Sequence, residues 1–149
     1  MSIEIIRAEK EHIPALVPLL DGYRMFYKQA SDEPKAKSFL EDRFHNKESV
    51  IFLALVSGKP AGFTQLYPSF STVGLQPLLI LNDLYVSNEY RNRGIGKDLL
   101  VWAQEYCKKH NYKGLALETA IDNPAQKLYE QLGWSKDSHC FHYFWSANS

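Results

Sequence analysis

A six-residue segment, Arg91 to Gly96, carries the strongest chemical signal in the chain because it combines two arginines with two glycines. It follows an apolar stretch, residues 78–86, and precedes an amphipathic one, residues 97–110. Free N–H groups at the start of a helix, together with the helix dipole, attract anions. Glycines let the backbone approach a ligand closely, and arginines add charged donors. The pattern therefore predicts a strand, a turn and a helix that bind a phosphate or pyrophosphate.

Two common phosphate motifs, the P-loop and the dinucleotide fingerprint, do not fit this segment. A P-loop ends in Gly-Lys followed by Ser or Thr, whereas Asp98 follows Lys97 here, and a carboxylate would repel a phosphate. The dinucleotide fingerprint requires a third glycine where this chain has Leu99. A nucleotide-dependent oxidoreductase is therefore the less favoured interpretation.

The composition indicates one globular domain over residues 1–149. Lys plus Arg and Asp plus Glu are both 17, so the net charge is zero, which argues against a nucleic-acid binder with a broad basic field. No stretch has the ~20 apolar residues of a membrane span, and the start lacks the pattern of a signal peptide. Cys107 and Cys140 have no metal-ligand spacing, so we expect free buried thiols, no metal and a cytoplasmic location.

Apolar periodicity predicts the order β-α-α-β-β-β-α-β-α-β, an α/β or α+β fold around a mixed sheet. Residues 50–56 and 61–67 have the pattern of an antiparallel hairpin, and residues 68–77 that of a loop. Pro18 interrupts the first helical pattern, where a proline kinks or splits a helix. Residues 140–145 predict an aromatic strand that is central in the sheet or covered by a partner chain.

A second chemically informative segment, Asn123 to Trp134, follows a predicted strand at residues 115–119. Asn-Pro at its start is typical of a helix N-cap and first turn, and Gly133 suits the helix end. Together with Arg91–Gly96 and the strand before it, this segment resembles the acyl-CoA motifs of the GNAT superfamily of N-acetyltransferases. The resemblance spans residues 81–134. It implies the GNAT fold, a single domain with a central, mixed, mostly antiparallel sheet flanked by helices.

The resemblance also implies an acetyl-CoA-dependent N-acetyltransferase, in which a primary amine attacks the thioester directly in a ternary complex. The implied cofactor contacts are Leu84, Tyr85, Val86, Arg91, Arg93, Gly94, Ile95, Gly96, Lys97 and Asn123. The Leu84 N–H would polarise the thioester carbonyl, as an oxyanion hole does. For Asn123, capping the following helix is an equal alternative to binding the cofactor.

Proton transfer requires a general acid and a general base. The resemblance makes Tyr129 the general acid that protonates the departing thiolate, and a packed aromatic residue is the alternative. Asn82 stands where several polyamine-acetylating relatives carry a glutamate, and an amide cannot accept the proton. Asp83 is then the candidate base, or a structural anchor, and strand alternation directs it to the opposite face unless a bulge reorients it. Glu118 is a weaker candidate.

Tyr23 and Tyr27 are the candidate acceptor contacts. They lie near Arg24, Asp32 and Glu33 in the sequence, and aromatic faces with carboxylates suit a cationic amine, although a solvated helix face fits equally well. The strings at residues 23–27 and 62–71 resemble a branch of the superfamily that acetylates polyamines and histone lysines and commonly dimerises. We therefore expect a small amine, polyamine or lysine side chain as acceptor, a homodimer, and no nucleic-acid or membrane partner. A non-catalytic acyl-CoA-binding module is the alternative function.

Overall fold

The order of helices and strands in the computed structural model follows the sequence prediction as far as the fourth helix. The structure describes residues 2–148. The strands are β1 (Ile3–Arg7), β2 (Val50–Val56), β3 (Lys59–Ser71), β4 (Gln76–Val86) and β5 (Leu115–Ala116). The α-helices are α1 (Ile13–Phe26), α2 (Glu33–His45), α3 (Ile95–Lys109) and α4 (Gln126–Gln131). Short 3-10 helices at Lys10–His12 and Asn88–Tyr90 precede α1 and the glycine-rich turn.

The five strands form one sheet in the order β1-β2-β3-β4-β5. Each neighbouring pair is antiparallel except β4 and β5, which are parallel. The predicted α/β class with a mixed, mostly antiparallel sheet is therefore confirmed. By its contacts the chain divides into two compact units, one up to Glu118 and one from Thr119. The sheet and the first three helices belong to the first unit, and α4 belongs to the second.

Helices cover both faces of the sheet in the first unit. On one face, the buried side chains of α1 and α2 pack with Ile51, Leu53 and Phe63. On the other face, the Phe52 ring contacts the aromatic rings of α3. The predicted stripe of α3 is buried and consists of Ile95, Leu99, Leu100, Ala103 and Cys107. Apolar burial on both sides therefore fixes the strands that carry the site.

Two proline positions differ from the sequence prediction. The helix α1 runs unbroken through Pro18, because the burial of its neighbours compensates for the hydrogen bond that the proline cannot donate. The predicted loop at residues 68–77 is confirmed only for residues 72–75, since β3 and β4 extend into the rest of it and Pro68 pairs with Leu79. The pairing of β2 with β3 ends at Leu66, so Pro68 has a partner strand on one side only, where a proline is tolerated.

The last third of the chain contains less strand than predicted. The strand expected over residues 115–119 comprises only Leu115–Ala116, and α4 begins at Gln126. The strand predicted over residues 140–145 is absent from the described part of the chain, and its aromatic side chains are 83–89% exposed. Cys107 is buried as expected, whereas Cys140 is exposed. Apolar composition alone does not form a strand, which also needs a neighbouring edge to pair with.

None of the helices within residues 2–148 combines the length and the apolar character that crossing a membrane requires.

Candidate active site

A β-bulge at Asn82 shapes the middle of β4. Leu66 pairs with Leu81 and Gln65 pairs with Asp83, so that Asn82 is the extra residue between them. Directly paired residues of two strands share a face of the sheet, and Gln65 shares its face with Phe63, which packs under α1 and α2. The bulge therefore directs Asp83 to the α1–α2 face. Strand alternation alone would direct Asp83 to the other face, so its role as a base requires this bulge.

The same bulge reverses which N–H groups of β4 point away from β3. Before the bulge, the Leu79 N–H donates to the Gly114 carbonyl on the β5 side at 3.0 Å. After the bulge, the Ser87 N–H donates to the Ala61 carbonyl on the β3 side at 2.8 Å. Residues two apart in a strand direct their N–H groups to the same side. Val86 and Leu84 are one and three residues before Ser87. Their N–H groups therefore point to the opposite side, away from β3.

The edge of β4 that faces away from β3 is open beyond Ile80. Within residues 2–148, β5 is the only strand paired with this edge, and it pairs only at Leu79–Leu115 and Ile80–Ala116. The outward N–H groups of Leu84 and Val86 thus lie on an edge that β5 leaves unpaired. An open strand edge can add an extended, amide-bearing ligand as if it were a further strand.

The glycine-rich turn connects this open edge to α3. Gly94 is the N-cap of α3 and has a φ of 80°, in the left-handed region that favours glycine. The Asp98 N–H donates to the Gly94 carbonyl at 3.0 Å. The N–H groups of Ile95, Gly96 and Lys97 precede that bond, so they have no partner within the helix. This is the backbone arrangement that an anion site at a helix start requires.

Both arginines of the turn are exposed and border its backbone. The Arg91 Nε donates to the Val86 carbonyl at 2.9 Å, and the guanidinium lies 5.7 Å from the ring centres of both Phe26 and Tyr85. The Arg93 guanidinium lies 5.5 Å from the ring centre of Tyr90. The charge of Arg91 is therefore held against the open edge of β4.

A cavity of about 510 Å³ lies between α1, α2 and the bulged part of the sheet. Its lining comprises Leu20, Tyr23, Arg24, Lys35, Ala36, Ser38, Phe39, Asp42, Gln65, Tyr67, Asn82 and Asp83. Of the two predicted acceptor contacts, Tyr23 lines the cavity, whereas Tyr27 is not part of the lining and packs against the Tyr23 ring, with 5.1 Å between the ring centres. Asp32 caps α2 by accepting from the Lys35 N–H at 3.1 Å.

Several cavity residues were missed by the sequence analysis, among them Phe39, Asp42 and Gln65. The alternation of Phe63, Gln65 and Tyr67 did indicate that these residues share one side of a strand. It did not indicate that the polar member would lie inside the protein.

Asp83 is buried in this cavity, with only 4% of its surface exposed. Its Oδ2 accepts from the Gln65 Nε2 at 2.5 Å, and its Oδ1 accepts from the Asn82 Nδ2 at 3.0 Å. Burial raises the pKa of Asp83, while hydrogen bonds from Gln65 and Asn82 oppose that rise. The result is a carboxylate with increased proton affinity, which suits a general base.

Two tyrosines complete the polar part of the cavity. The Tyr23 hydroxyl donates to the Asn82 carbonyl at 3.1 Å. Burial raises the pKa of the Tyr23 phenol well above its ordinary value, and it raises the pKa of Tyr67 to about 12. Both phenols therefore remain neutral at physiological pH and keep a proton that can be donated in a hydrogen bond.

The second unit contains two further candidate residues, Asn123 and Tyr129. The Asn123 Oδ1 accepts from the Ala125 N–H at 2.9 Å, in the turn that precedes α4. Asn123 therefore stabilises the turn before α4, but the N-cap of α4 is Ala125 and not Asn123 as predicted. Tyr129 lies on α4, is 9% exposed, and packs against the Trp134 ring at a centroid distance of 5.8 Å.

Comparison with known proteins defines the class to which this site belongs. The model of the acetyltransferase (GNAT) family matches residues 16–134, and the chain therefore belongs to this family. A relative in Bacillus subtilis (strain 168), the uncharacterized N-acetyltransferase YhfO, is 43% identical over 142 residues, which is 95% of each chain. The protein is accordingly an N-acetyltransferase of a family that takes its acetyl group from acetyl-CoA.

Two further similarities concern the fold and the acceptor. A crystal structure of a probable acetyltransferase superposes with a TM-score of 0.90 at 38% identity, covering 96% of this chain and 97% of the other. The thialysine N-epsilon-acetyltransferase of Caenorhabditis elegans is 27% identical over 139 residues, covering 92% of this chain and 78% of the relative. The first similarity confirms the predicted fold.

Proposed function

We propose that the protein transfers an acetyl group from acetyl-CoA to the primary amine of a small, lysine-like acceptor by direct attack. The observation that carries this proposal is the open edge of β4, where the outward Leu84 and Val86 N–H groups precede the glycine-rich turn. The amide-bearing pantetheine arm would pair with this edge as an added strand does. The pyrophosphate would accept hydrogen bonds from the Ile95, Gly96 and Lys97 N–H groups at the start of α3.

The reaction would use a backbone donor and a proton donor. The amine nitrogen attacks the carbonyl carbon, and the Leu84 N–H stabilises the negative charge that develops on the oxygen. The C–S bond then breaks, and Tyr129 donates its phenolic proton to the departing thiolate. The support for Tyr129 is that it occupies the acid position of the family motif.

The proton that the acceptor must lose would go to Asp83. An amine with a pKa near 10.4 carries that proton at pH 7, and removing it costs roughly 4.6 kcal/mol. A buried carboxylate with a raised pKa lowers this cost more than an exposed one does. The bulge supports this role, since it places Asp83 in the cavity and leaves the Asn82 side chain exposed.

The charges that line the cavity favour a zwitterionic acceptor over a polyamine. Asp42 and Asp83 suit an ammonium group, while Arg24 and Lys35 suit a carboxylate and repel a second or third ammonium. The aromatic residues Tyr23 and Phe39 would contact the aliphatic part of the acceptor. Thialysine, which the relative in Caenorhabditis elegans is named for, is an amino acid of this kind.

Release of free thiol from acetyl-CoA, measured with thialysine, lysine and spermidine, tests the proposal. We expect kcat/KM to be highest for the two diamino acids. The Tyr129→Phe variant should lower kcat by about 10²–10⁴ without changing the affinity for CoA, because it removes only the proton donor.

The alternative outcomes of this assay are distinct. A clear preference for spermidine would contradict the proposed acceptor class. Absence of turnover with every amine, together with unchanged CoA affinity in Tyr129→Phe, would favour the acyl-CoA-binding module.

The single domain over residues 1–149, the homodimer and the cytoplasmic location remain predictions. The molecular mass measured by light scattering decides the oligomeric state.

A further inference from the structure

Gln65 buries a carbonyl oxygen that no described residue satisfies. The side chain lines the acceptor cavity and is 0% exposed. Within residues 2–148 its Oε1 has no hydrogen-bond partner, although its Nε2 has one. A buried amide oxygen without a donor is rare in native proteins because it loses its bonds to water without replacement. Such an oxygen indicates that its donor comes from whatever occupies the cavity.

The orientation of the Gln65 amide follows from Asp83. The two oxygens of Asp83 accept from two amide groups, Gln65 Nε2 at 2.5 Å and Asn82 Nδ2 at 3.0 Å. A carboxylate accepts at both oxygens, so the Gln65 NH₂ group must face it. The Oε1 is therefore the amide atom left without a partner, and the bulge that pairs Gln65 with Asp83 fixes this arrangement.

The hydrogen bond to Asp83 explains the nitrogen of the Gln65 amide but not its oxygen. Along β3, Phe63 on the same face and the adjacent Leu66 are buried apolar residues, and they offer no donor to that oxygen. No other group within residues 2–148 donates to it either. The oxygen is therefore better explained by a ligand than by the core.

We propose that Gln65 is an acceptor-binding residue whose Oε1 accepts an N–H of the substrate amine beside Asp83. This inference rests on the proposed function, since it assumes that the cavity receives the acceptor. An ammonium group has three donors and no acceptor, and Gln65 Oε1 and the Asp83 carboxylate provide acceptors for it within one site. A site built in this way discriminates strongly against an analogue that lacks the N–H groups. The pair therefore selects primary amines over N-trimethylated ones.

An NMR titration of the unmodified protein tests this inference without any turnover. The probes are n-butylammonium and n-butyltrimethylammonium, which differ in their N–H donors. We expect the Gln65 side-chain amide signals, assigned through the backbone, to shift saturably with the first probe and to stay unchanged with the second. Equal shifts with both probes, or no shift with either, would overturn the inference. Thiol release measured in parallel shows separately whether the protein is an active acetyltransferase.

A competing explanation is a protonated Asp83 that donates to a reversed Gln65 amide. It predicts an infrared band of a protonated carboxyl group that disappears in Asp83→Asn and persists when n-butylammonium is added. Observation of that band would overturn the inference, because the Gln65 oxygen would then already have its donor.

Kinetics of the Gln65→Met variant provide the second test, with Thr64→Val as the matched control. Thr64 is equally buried on β3, and its Oγ1 donates to the Asp83 backbone carbonyl at 2.8 Å, but its side chain faces away from the cavity. Because Gln65→Met also removes a donor to Asp83, the comparison is made on the pH plateau, where the base is deprotonated in both proteins. There we expect Gln65→Met to raise the KM for the amine about 10- to 100-fold and to leave the KM for acetyl-CoA within about twofold. Thr64→Val should change neither value. An unchanged amine KM in folded Gln65→Met would contradict the inference.

Discussion

At the scale of single residues, the site depends on contacts that the sequence could not supply. Asp83 was a candidate base from the sequence, on the condition that a bulge reorients its side chain. The sequence could not identify Gln65 as its partner, because that contact joins residues 18 positions apart and depends on the register of two strands. Tyr23 was identified from aromatic composition near carboxylates, whereas Tyr27 only supports it from outside the cavity lining.

The pH dependence of turnover should report the buried state of Asp83. A base acts only when it is deprotonated, so activity rises as the pH passes upwards through its pKa. Because burial raises that pKa, the acidic limb of kcat/KM should lie above the ordinary carboxyl value of 3.8. Asp83→Asn should lose this limb and lower kcat by about 10²–10⁴.

Asp42→Asn is the control for that profile, because Asp42 lines the same cavity but is exposed to solvent. It should keep the acidic limb. If Asp83→Asn retains both the limb and its kcat, Asp83 is a structural anchor and the base is elsewhere.

At the scale of elements, local signals predicted the turn well and the strand ends poorly. A strand, a glycine-containing turn and a helix follow one another as expected, since left-handed φ values and helix starts are encoded within a few residues. The extension of β3 and β4 through Pro68 was missed, because it depends on where the neighbouring strand β2 ends. The aromatic segment at residues 140–145 has strand composition but no strand partner in the described part of the chain.

The glycine-rich turn can be tested with a matched pair of variants. Gly94 and Gly58 have φ values of 80° and 81°, and an added Cβ would meet no atom within 4 Å at either position. Gly94→Glu and Gly58→Glu should therefore cost similar stability, about 1–2 kcal/mol, through the left-handed backbone alone. Only Gly94→Glu adds a negative charge beside the proposed pyrophosphate site, so only it should abolish CoA binding in calorimetry. Persisting micromolar affinity in Gly94→Glu would contradict the pyrophosphate assignment.

At the scale of the whole molecule, composition and element order were sufficient for the fold class. The balanced charge argued against a broad basic surface, and the order of helices and strands agrees with the α/β prediction up to α4. The family comparison confirms that prediction and defines the reaction as acetyl transfer. The acceptor could not be derived from composition, because a net charge of zero conceals the local arrangement of two carboxylates and two cations around one cavity.

The central claim is that the open edge of β4 binds the cofactor, and amide hydrogen exchange along this strand tests it most directly. NMR of the full chain with and without CoA resolves the individual amides. The account predicts that the Leu84 and Val86 amides, whose N–H groups face away from β3, exchange at least about tenfold more slowly when CoA is bound. Asp83 and Tyr85, whose N–H groups face β3, should change little. Saturating CoA that leaves the exchange of Leu84 and Val86 unchanged would contradict the account.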